Sequence, residues 1–185
     1  MKKTILLALF VASGLTMQSC GSSENKDSTE RAEQANEELK TSDDDDAEFA
    51  VKAASGGMME VELGRMAQEK SQNQAVKDFG AMMVKDHSKA NEELKALAAS
   101  KNIILPATLG EDHQKHVDEL AKLSGKEFDK KYVSMMVDDH KEDVDDFKEA
   151  AIGAKDPEIK AFAEKTVPTL QEHLTKITAI NDAMK

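Results

Sequence analysis

The sequence lacks the features that build disulfide frameworks, β-sheets and membrane spans. Cys20 is the only cysteine among 185 residues, which excludes an internal disulfide. Long alternating runs of β-branched residues are absent, so a sheet-based fold is not expected. The apolar run of residues 5–12 is too short to cross a membrane as a mature helix. The sequence therefore predicts an all-α protein.

Basic residues are too few to balance the acidic ones. The chain has 36 Asp and Glu against 25 Lys and Arg, a net charge of −11. Removing an N-terminal signal that contains Lys2 and Lys3 leaves 23 basic residues against the same 36 acidic ones, a net charge of −13. Such a surface repels nucleic acid and anionic lipid, and it suits a soluble protein of the cell envelope.

The N-terminus has the pattern of an export signal. Two lysines precede the apolar run, and small residues surround Cys20, so residues 1–19 are predicted to be a secretory signal peptide. The segment also resembles a bacterial lipoprotein signal, which implies that Cys20 is acylated. We expect a lipoprotein held at a membrane in the periplasm or outer membrane through this anchor. The alternative is an ordinary signal peptide with a stray cysteine.

Residues 20–46 are predicted to be a disordered acidic tether. They are rich in Ser, Glu, Asn, Lys and Asp and have almost no large apolar side chains to offset the entropy of ordering. Within them, residues 29–39 are expected to be helical only transiently. The remaining residues, 47–185, have the length of one domain.

Helical periodicity runs through nearly all of this domain. Four long helices are predicted, at residues 47–71, at 73–100, from 125 and from 156, with a short helix at 111–123. The expected N-caps are Asn73, Ser124 and Asp156. Two tight connections make two antiparallel hairpins, and the link of about 25 residues between them can travel the bundle's length. This is a ferritin-like four-helix bundle with a long crossover that contains a short helix. The segment Met-Met-Val-x-Asp-His occurs at 82–87 and again at 135–140, which supports the two-hairpin arrangement.

One ionisable residue lies at the centre of the apolar stripe on each long helix. These residues are Glu60, His87, His140 and His173. Counted from the two tight turns, the partners within each hairpin differ in level by only about 4.5 Å. All four are therefore expected to meet near the middle of the bundle.

Two interpretations of this convergence follow from the high cost of burying an unpaired charge. The four residues bind a zinc, copper, iron or manganese ion, with Asp143 as a fifth ligand or an outer acceptor. Met83 and Met136 would then shift the preference toward copper. Alternatively, the core is a metal-free hydrogen-bonded cluster in which Glu60 accepts from the histidines. Asp86 and Asp139, about 100° from the core direction, are read as boundary acceptors or surface charge.

Two helix-breaking residue types occur inside predicted helices. Gly56, Gly57 and Gly64 lie on the inner stripe of the first long helix, where close helix approach or space for a bound group explains their use. Pro168 lies inside the last helix and is expected to kink it.

Several segments together resemble the domain-of-unknown-function 4142 family. They are residues 54–64, the two Met-Met-Val-x-Asp-His segments and residues 168–174. The resemblance implies a ferritin-like bundle in the cell envelope, and it brings no established activity. The Glu-x-x-His pairs of di-iron proteins are missing, because Val84, Val137 and Leu170 stand three residues before the histidines. Any metal site is therefore expected to be histidine-rich and mononuclear.

The sequence favours a non-catalytic structural, interaction or stress-related role in the envelope, with another envelope protein as partner. The alternative is a metal-binding protein for sequestration or redox protection. An enzyme has the least support, because no nucleophile–base pair, phosphate loop or paired carboxylates occur at catalytic spacing.

Overall fold

Six α-helices build the fold in a computed structural model that describes residues 26–40 and 42–185. They are α1 (Ser28–Leu39), α2 (Asp44–Lys70), α3 (Gln74–Lys101), α4 (Glu111–Ala121), α5 (Gly125–Gly153) and α6 (Pro157–Ala183). No strand occurs in these residues, so the all-α prediction is confirmed. None of these helices is both long enough and apolar enough to cross a membrane. The predicted signal peptide and Cys20 lie outside the described residues.

Local capping sets two of the three predicted helix starts. The Asn73 side chain accepts from the Ala75 amide at 2.9 Å, and that of Asp156 accepts from the amides at the start of α6. Pro157 follows Asp156 at the first helical position, where its missing N–H costs nothing. Ser124 precedes α5 as expected but makes no side-chain cap bond, so that capping prediction is wrong.

The two hairpins are joined by a crossover that spans the bundle. Helices α2 and α3 form one antiparallel pair, and α5 and α6 form the other. The side chain of Gln72, in the α2–α3 turn, lies against Gly125 at the start of α5. At the opposite end, Asp46 accepts from the amides of Lys155 and Asp156 in the α5–α6 turn, at 3.0 and 2.7 Å. Helix α5 therefore runs antiparallel to α2, as the predicted ferritin-like arrangement requires.

Helix α1 corrects the prediction of a disordered tether. Residues 28–39 form a helix whose capping box joins Asp27 and Glu30. The Asn36 side chain bonds both backbone groups of Ile104 in the crossover, donating to the carbonyl at 3.0 Å and accepting from the amide at 2.7 Å. These bonds anchor α1 without a large apolar face, which is why composition alone missed it. Residues 44–46, also assigned to the tether, form the first turn of α2.

Helices α2 and α3 touch through two glycines. A Cβ atom on Gly64 would lie 2.7 Å from the Gly80 carbonyl oxygen, and one on Gly80 would lie 2.6 Å from that of Gly64. No other residue type leaves room for this contact. The close approach predicted at Gly64 is confirmed. In the other hairpin, α6 continues through Pro168.

Two apolar clusters fill the bundle above and below its middle. The first cluster lies toward the α2–α3 turn and includes Leu63, Met83, Phe128, Met136 and Ile177. The second cluster lies toward the α5–α6 turn and includes Ala50, Leu94, Phe147, Ile159 and Phe162. The four ionisable residues of the core lie between the two clusters.

Candidate metal centre

Glu60, His87, His140 and His173 meet in the core, as predicted. Each comes from a different long helix, and none exposes more than 6% of its surface. His87 Nδ1 lies 2.6 Å from Glu60 Oε2, and His140 Nε2 lies 3.3 Å from Glu60 Oε1. His87 Nε2 lies 3.3 Å from His173 Nδ1. The convergence of one residue from each helix is confirmed; their role as metal ligands stays a prediction.

Each imidazole is held by a polar partner on one of its nitrogens. His87 Nδ1 faces the Glu60 carboxyl, and His140 Nδ1 donates to the Met136 carbonyl at 3.0 Å. His173 Nε2 donates to Asp86 Oδ2 at 3.2 Å. One ring nitrogen from each histidine lies within 4.8 Å of those of the other two. Metal-binding histidines are commonly oriented in this way, with the second nitrogen held by a carboxylate or a carbonyl.

Two atoms that face each other in this cluster lack hydrogen-bond partners. Because His140 Nδ1 donates to a carbonyl, its Nε2 carries a lone pair, and the nearest carboxyl atom is Glu60 Oε1. Among the described residues, neither atom has a hydrogen-bond partner, and both are buried. Such orphaned acceptors are costly. A cation between them would satisfy both, and their 3.3 Å separation matches the edge of about 3.3–3.4 Å expected for a tetrahedral site with bonds of about 2.0–2.1 Å.

Burial keeps the histidines neutral. It lowers the pKa of His87 and that of His173 to about 4, from an ordinary value of 6.5. The pKa of His140 is lowered by burial and by its neighbours His87 and His173. The neutral imidazole is the form that binds a metal, so these groups are ready for one at neutral pH.

Burial acts in the opposite direction on the Glu60 carboxyl, whose pKa it raises well above 4.5. A Glu60 that holds its proton donates to His87 Nδ1, and His87 Nε2 then donates to His173 Nδ1. The chain of bonds continues from His173 to Asp86. Metal binding would replace the Glu60 proton with a cation.

Asp143 and Asp139 add carboxyls beside Glu60. Their donor atoms form a group with those of Glu60 and His140 in which all lie within 4.8 Å of one another. Burial raises the pKa of Asp139 and of Asp143, and the neighbouring carboxyls raise both further. The structure thus places Asp143 next to two predicted ligands. It also brings in Asp139, which the sequence left as a boundary residue.

Two aromatic residues border the centre and were not singled out from the sequence. Tyr132 is fully buried, and its hydroxyl has no hydrogen-bond partner in the described part of the chain. Phe79 packs edge-on to the rings of His140 and His173, with centroids 5.9 and 6.3 Å apart. The spacing of Tyr132, two turns before His140, was the available signal for the first of these.

A small cavity and a surface groove adjoin the centre. The cavity, about 20 Å³, is lined by residues that include Gly57, Glu60, His87, Asn91 and Asp143. It has room for about one water-sized particle. A Cβ on Gly57 would lie 2.1 Å from Asn91 Oδ1, so a larger residue there would displace the Asn91 side chain. The groove, about 320 Å³, lies between α2 and α5.

The groove shares three wall residues with the cavity: Ala53, Asp143 and Phe147. Asp143 therefore stands between the solvent-facing groove and the buried donors of the core.

The chain belongs to a family described as a domain of unknown function, DUF4142. The family profile matches residues 28–180, which includes α1 to α5 and all but the last three residues of α6. No curated protein matches the sequence significantly.

Solved structures share the fold at low sequence identity. A DUF305 fragment from Deinococcus radiodurans has a TM-score of 0.67 at 13% identity, covering 77% of this chain and 98% of its own. CopM in its Cu(II)-bound form has a TM-score of 0.65 at 15% identity, covering 76% and 97%. A DUF305 protein from Streptomyces coelicolor, described provisionally as secreted, has a TM-score of 0.63 at 14% identity, covering 76% and 93%. At these identities the likeness shows the helical fold alone.

Proposed function

We propose that this DUF4142 protein binds one divalent transition-metal ion through His87, His140, His173 and Glu60. The observation that carries the proposal is the orientation of the three imidazoles. His140 and His173 each have one nitrogen held by an acceptor outside the site, and one nitrogen of each of the three histidines lies within 4.8 Å of the others beside a buried carboxyl. Metal sites in proteins share this combination of inner donors and outer acceptors.

The donor set favours copper(II) or zinc. Three imidazoles and one carboxylate suit these ions, whereas magnesium and calcium prefer all-oxygen ligands. Iron and manganese, also expected from the sequence, fit less well because such sites usually hold more carboxylates. CopM, which has this fold, has been solved with Cu(II) bound, and this is in keeping with the choice.

Sequestration is the role that a buried site of this kind suits. Four protein donors would enclose the ion, none of them more than 6% exposed. Closed four-ligand sites hold their metal, while catalytic sites keep a position open for water or substrate. The protein would therefore retain a metal ion, and we assign it no reaction.

Export and anchoring complete the proposal. The signal pattern of residues 1–19 supports export, as does a neighbour of the same fold that is described provisionally as secreted. We propose that an acylated Cys20 holds the bundle at an envelope membrane. A Cys20→Ala chain should be released into the soluble envelope fraction; one that stays at the membrane would contradict the anchor.

A structural role without metal is the second candidate. The chain of bonds from Asp86 through His173 and His87 to Glu60 satisfies most of the core without an ion. Such a bundle would act through an envelope protein partner. The stability of the metal-free chain does not separate the two candidates, but stoichiometric metal binding does.

The deciding experiment is a metal titration of the full chain purified without a histidine tag. Copper(II) and zinc are added under competition with a chelator of known affinity, and bound metal is measured by elemental analysis. We expect one ion per chain. Loss of one imidazole, in His140→Ala or His173→Ala, should weaken binding by about 100-fold or more, since each missing ligand also leaves the ion open to water.

His116→Ala is the matched control, because it removes an exposed histidine of α4. It should bind metal as the unchanged chain does. Melting followed by circular dichroism verifies that each variant is folded. Binding of less than one ion, or an equal loss in His116→Ala, would leave the metal-free structural role as the better account.

A further inference from the structure

We propose that Asp139 and Asp143, with Glu60 and His140, form an oxygen-rich entry subsite for the metal cation. The cation would pass from the groove between α2 and α5, through these carboxylates, to the histidine centre. The inference rests on the proposed function and adds the route and the transit ligands to it.

The shared wall of the cavity and the groove is the first observation. The inner cavity reaches Glu60 and His87, and the surface groove opens to solvent. Asp143 lines both, between Ala53 and Phe147, which also line both. A side chain with this position touches a cation on either side of the passage. The cavity has room for about one water-sized particle, which suits an ion that has lost most of its hydration shell.

Buried ligand atoms without a hydrogen-bond partner are the second observation. Among the described residues, Glu60 Oε1, Asp139 Oδ2 and His140 Nε2 are buried atoms without a hydrogen-bond partner. All three residues belong to the group whose donor atoms, with that of Asp143, lie within 4.8 Å of one another. Glu60 is 2% exposed and His140 is fully buried, so bulk solvent does not reach them. Buried acceptors without partners, on residues grouped this closely, are what a cation would satisfy.

The charge of the groove is the third observation. Its lining includes Asp45, Glu48, Asp146 and Glu149, none of which lines the inner cavity. An acidic concave surface concentrates cations and raises their rate of association. Lys52 is the basic residue of this lining, and its Nζ lies 2.7 Å from both Glu142 and Asp146. Lys52 thus ties α2 to α5 across the groove and reduces its negative charge.

Another groove approaches the same cavity and is less suited to a cation. It lies between α2, α3 and the crossover and shares only Asn91 with the cavity lining. Its wall is mostly apolar and contains Lys95 but no carboxylate. The two grooves therefore differ in charge, and the acidic groove is the route that we infer for a cation.

The entry subsite and the histidine centre share Glu60 and His140. His140 Nε2 has one lone pair and can serve one ion at a time. The two donor sets are therefore successive positions for a single ion. Oxygen donors bind copper(II) and zinc less tightly than imidazoles do, so the ion moves on to the histidines.

The test is the rate of metal loading, measured by stopped-flow mixing of the full chain with copper(II) or zinc. We expect Asp143→Asn to load about tenfold more slowly at low salt, at the lower end of the effect of electrostatic steering. Its final stoichiometry should stay at one ion per chain. Asp145→Asn, an exposed carboxylate on the same helix, makes the same change of charge and should load within about twofold of the unchanged chain.

Lys52→Gln is expected to change the loading rate in the opposite direction. It removes the positive charge from the groove and should speed loading about twofold or more. Circular dichroism melting shows that each variant is folded. Equal rates for Asp143→Asn and Asp145→Asn would overturn the route, and so would complete loss of equilibrium binding in Asp143→Asn, because Asp143 would then be a ligand of the final site. If the unchanged chain binds no metal, the proposed function itself fails; the rate outcomes apply only when one ion binds.

Discussion

Two nearly identical segments give their histidines different surroundings. In the first copy, residues 82–87, His87 Nδ1 reaches Glu60 on the neighbouring helix at 2.6 Å. In the second copy, residues 135–140, His140 Nδ1 donates to the Met136 carbonyl of its own helix at 3.0 Å. The first ring belongs to a continuous chain of bonds, whereas the second leaves its Nε2 facing a carboxyl oxygen. The same local sequence thus gives a satisfied position and an unsatisfied one.

The aspartates before these histidines differ in the same way. Burial raises the pKa of Asp86, but hydrogen bonds from Lys85 and His173 outweigh it, so its pKa lies below 3.8. Burial and the neighbours Asp143 and Glu60 raise the pKa of Asp139 well above 3.8. The variable position of the repeat contributes, because the first copy has Lys85 there, 3.1 Å from Asp86, and the second has an aspartate. The carboxyl of the second copy therefore keeps its proton to a higher pH than the carboxyl of the first.

The largest change in stability is expected from Gly80→Val. Gly80 lies two residues before the first copy, and Val133 has the same position before the second. A side chain at Gly80 would meet the Gly64 carbonyl oxygen at 2.6 Å and the Ala67 Cβ at 2.8 Å. Gly80→Val should therefore force α2 and α3 apart and lower the free energy of unfolding by about 3 kcal/mol or more. Urea denaturation of the metal-free chain measures this.

Ala81→Val is the control for Gly80→Val, since Ala81 is exposed on the same turn of α3. It should cost less than about 1 kcal/mol, mainly through helix propensity. Equal costs for the two variants would show that the hairpin does not depend on the glycine contact.

A smaller loss of stability is expected from Asp86→Asn. This variant removes a charged hydrogen-bond acceptor from the first copy, residues 82–87. Loss of the charge-assisted bond to His173 should destabilise the metal-free chain by about 1.5 kcal/mol at pH 7. Because the folded pKa of Asp86 lies below 3.8, its contribution is complete above that value and is lost as the pH falls through the folded pKa. The cost of the variant should therefore shrink below about pH 4. Denaturation curves at pH 3, 5 and 7 measure it; a cost that does not change with pH would contradict the assignment.

The smallest effect is expected for Asp139→Asn, which should stabilise the chain, whereas the other two variants destabilise it. The raised folded pKa means that the native chain loses stability as the pH rises above 3.8 toward that folded value. The amide does not titrate, so the variant should be more stable than the unchanged metal-free chain by about 1 kcal/mol at pH 7. This gain should increase as the pH rises from 3.8 toward the folded pKa of Asp139. The same denaturation series gives the answer, and a variant that is destabilised at every pH would remove the contrast between the two copies.

The sequence predicted the bundle because helical periodicity and connection length are local properties. Boundaries at Asn73 and Pro157, the two hairpins and the crossover all follow from them. The level of the four core residues also followed, since helical rise converts residue number into height. Helix α1 was missed as a fixed element, because its anchor is the bond of Asn36 to Ile104, 68 residues away.

The residues by themselves determined that Glu60, His87, His140 and His173 face one core, because a 3.6-residue period fixes the face of each helix. They could not determine which nitrogen of each ring points inward. Nor could they show that Asp86 receives a bond from His173 while Asp139 Oδ2 receives none in the described chain. Those outcomes depend on side chains brought together from different helices, and on the removal of water around them, which only the tertiary structure decided.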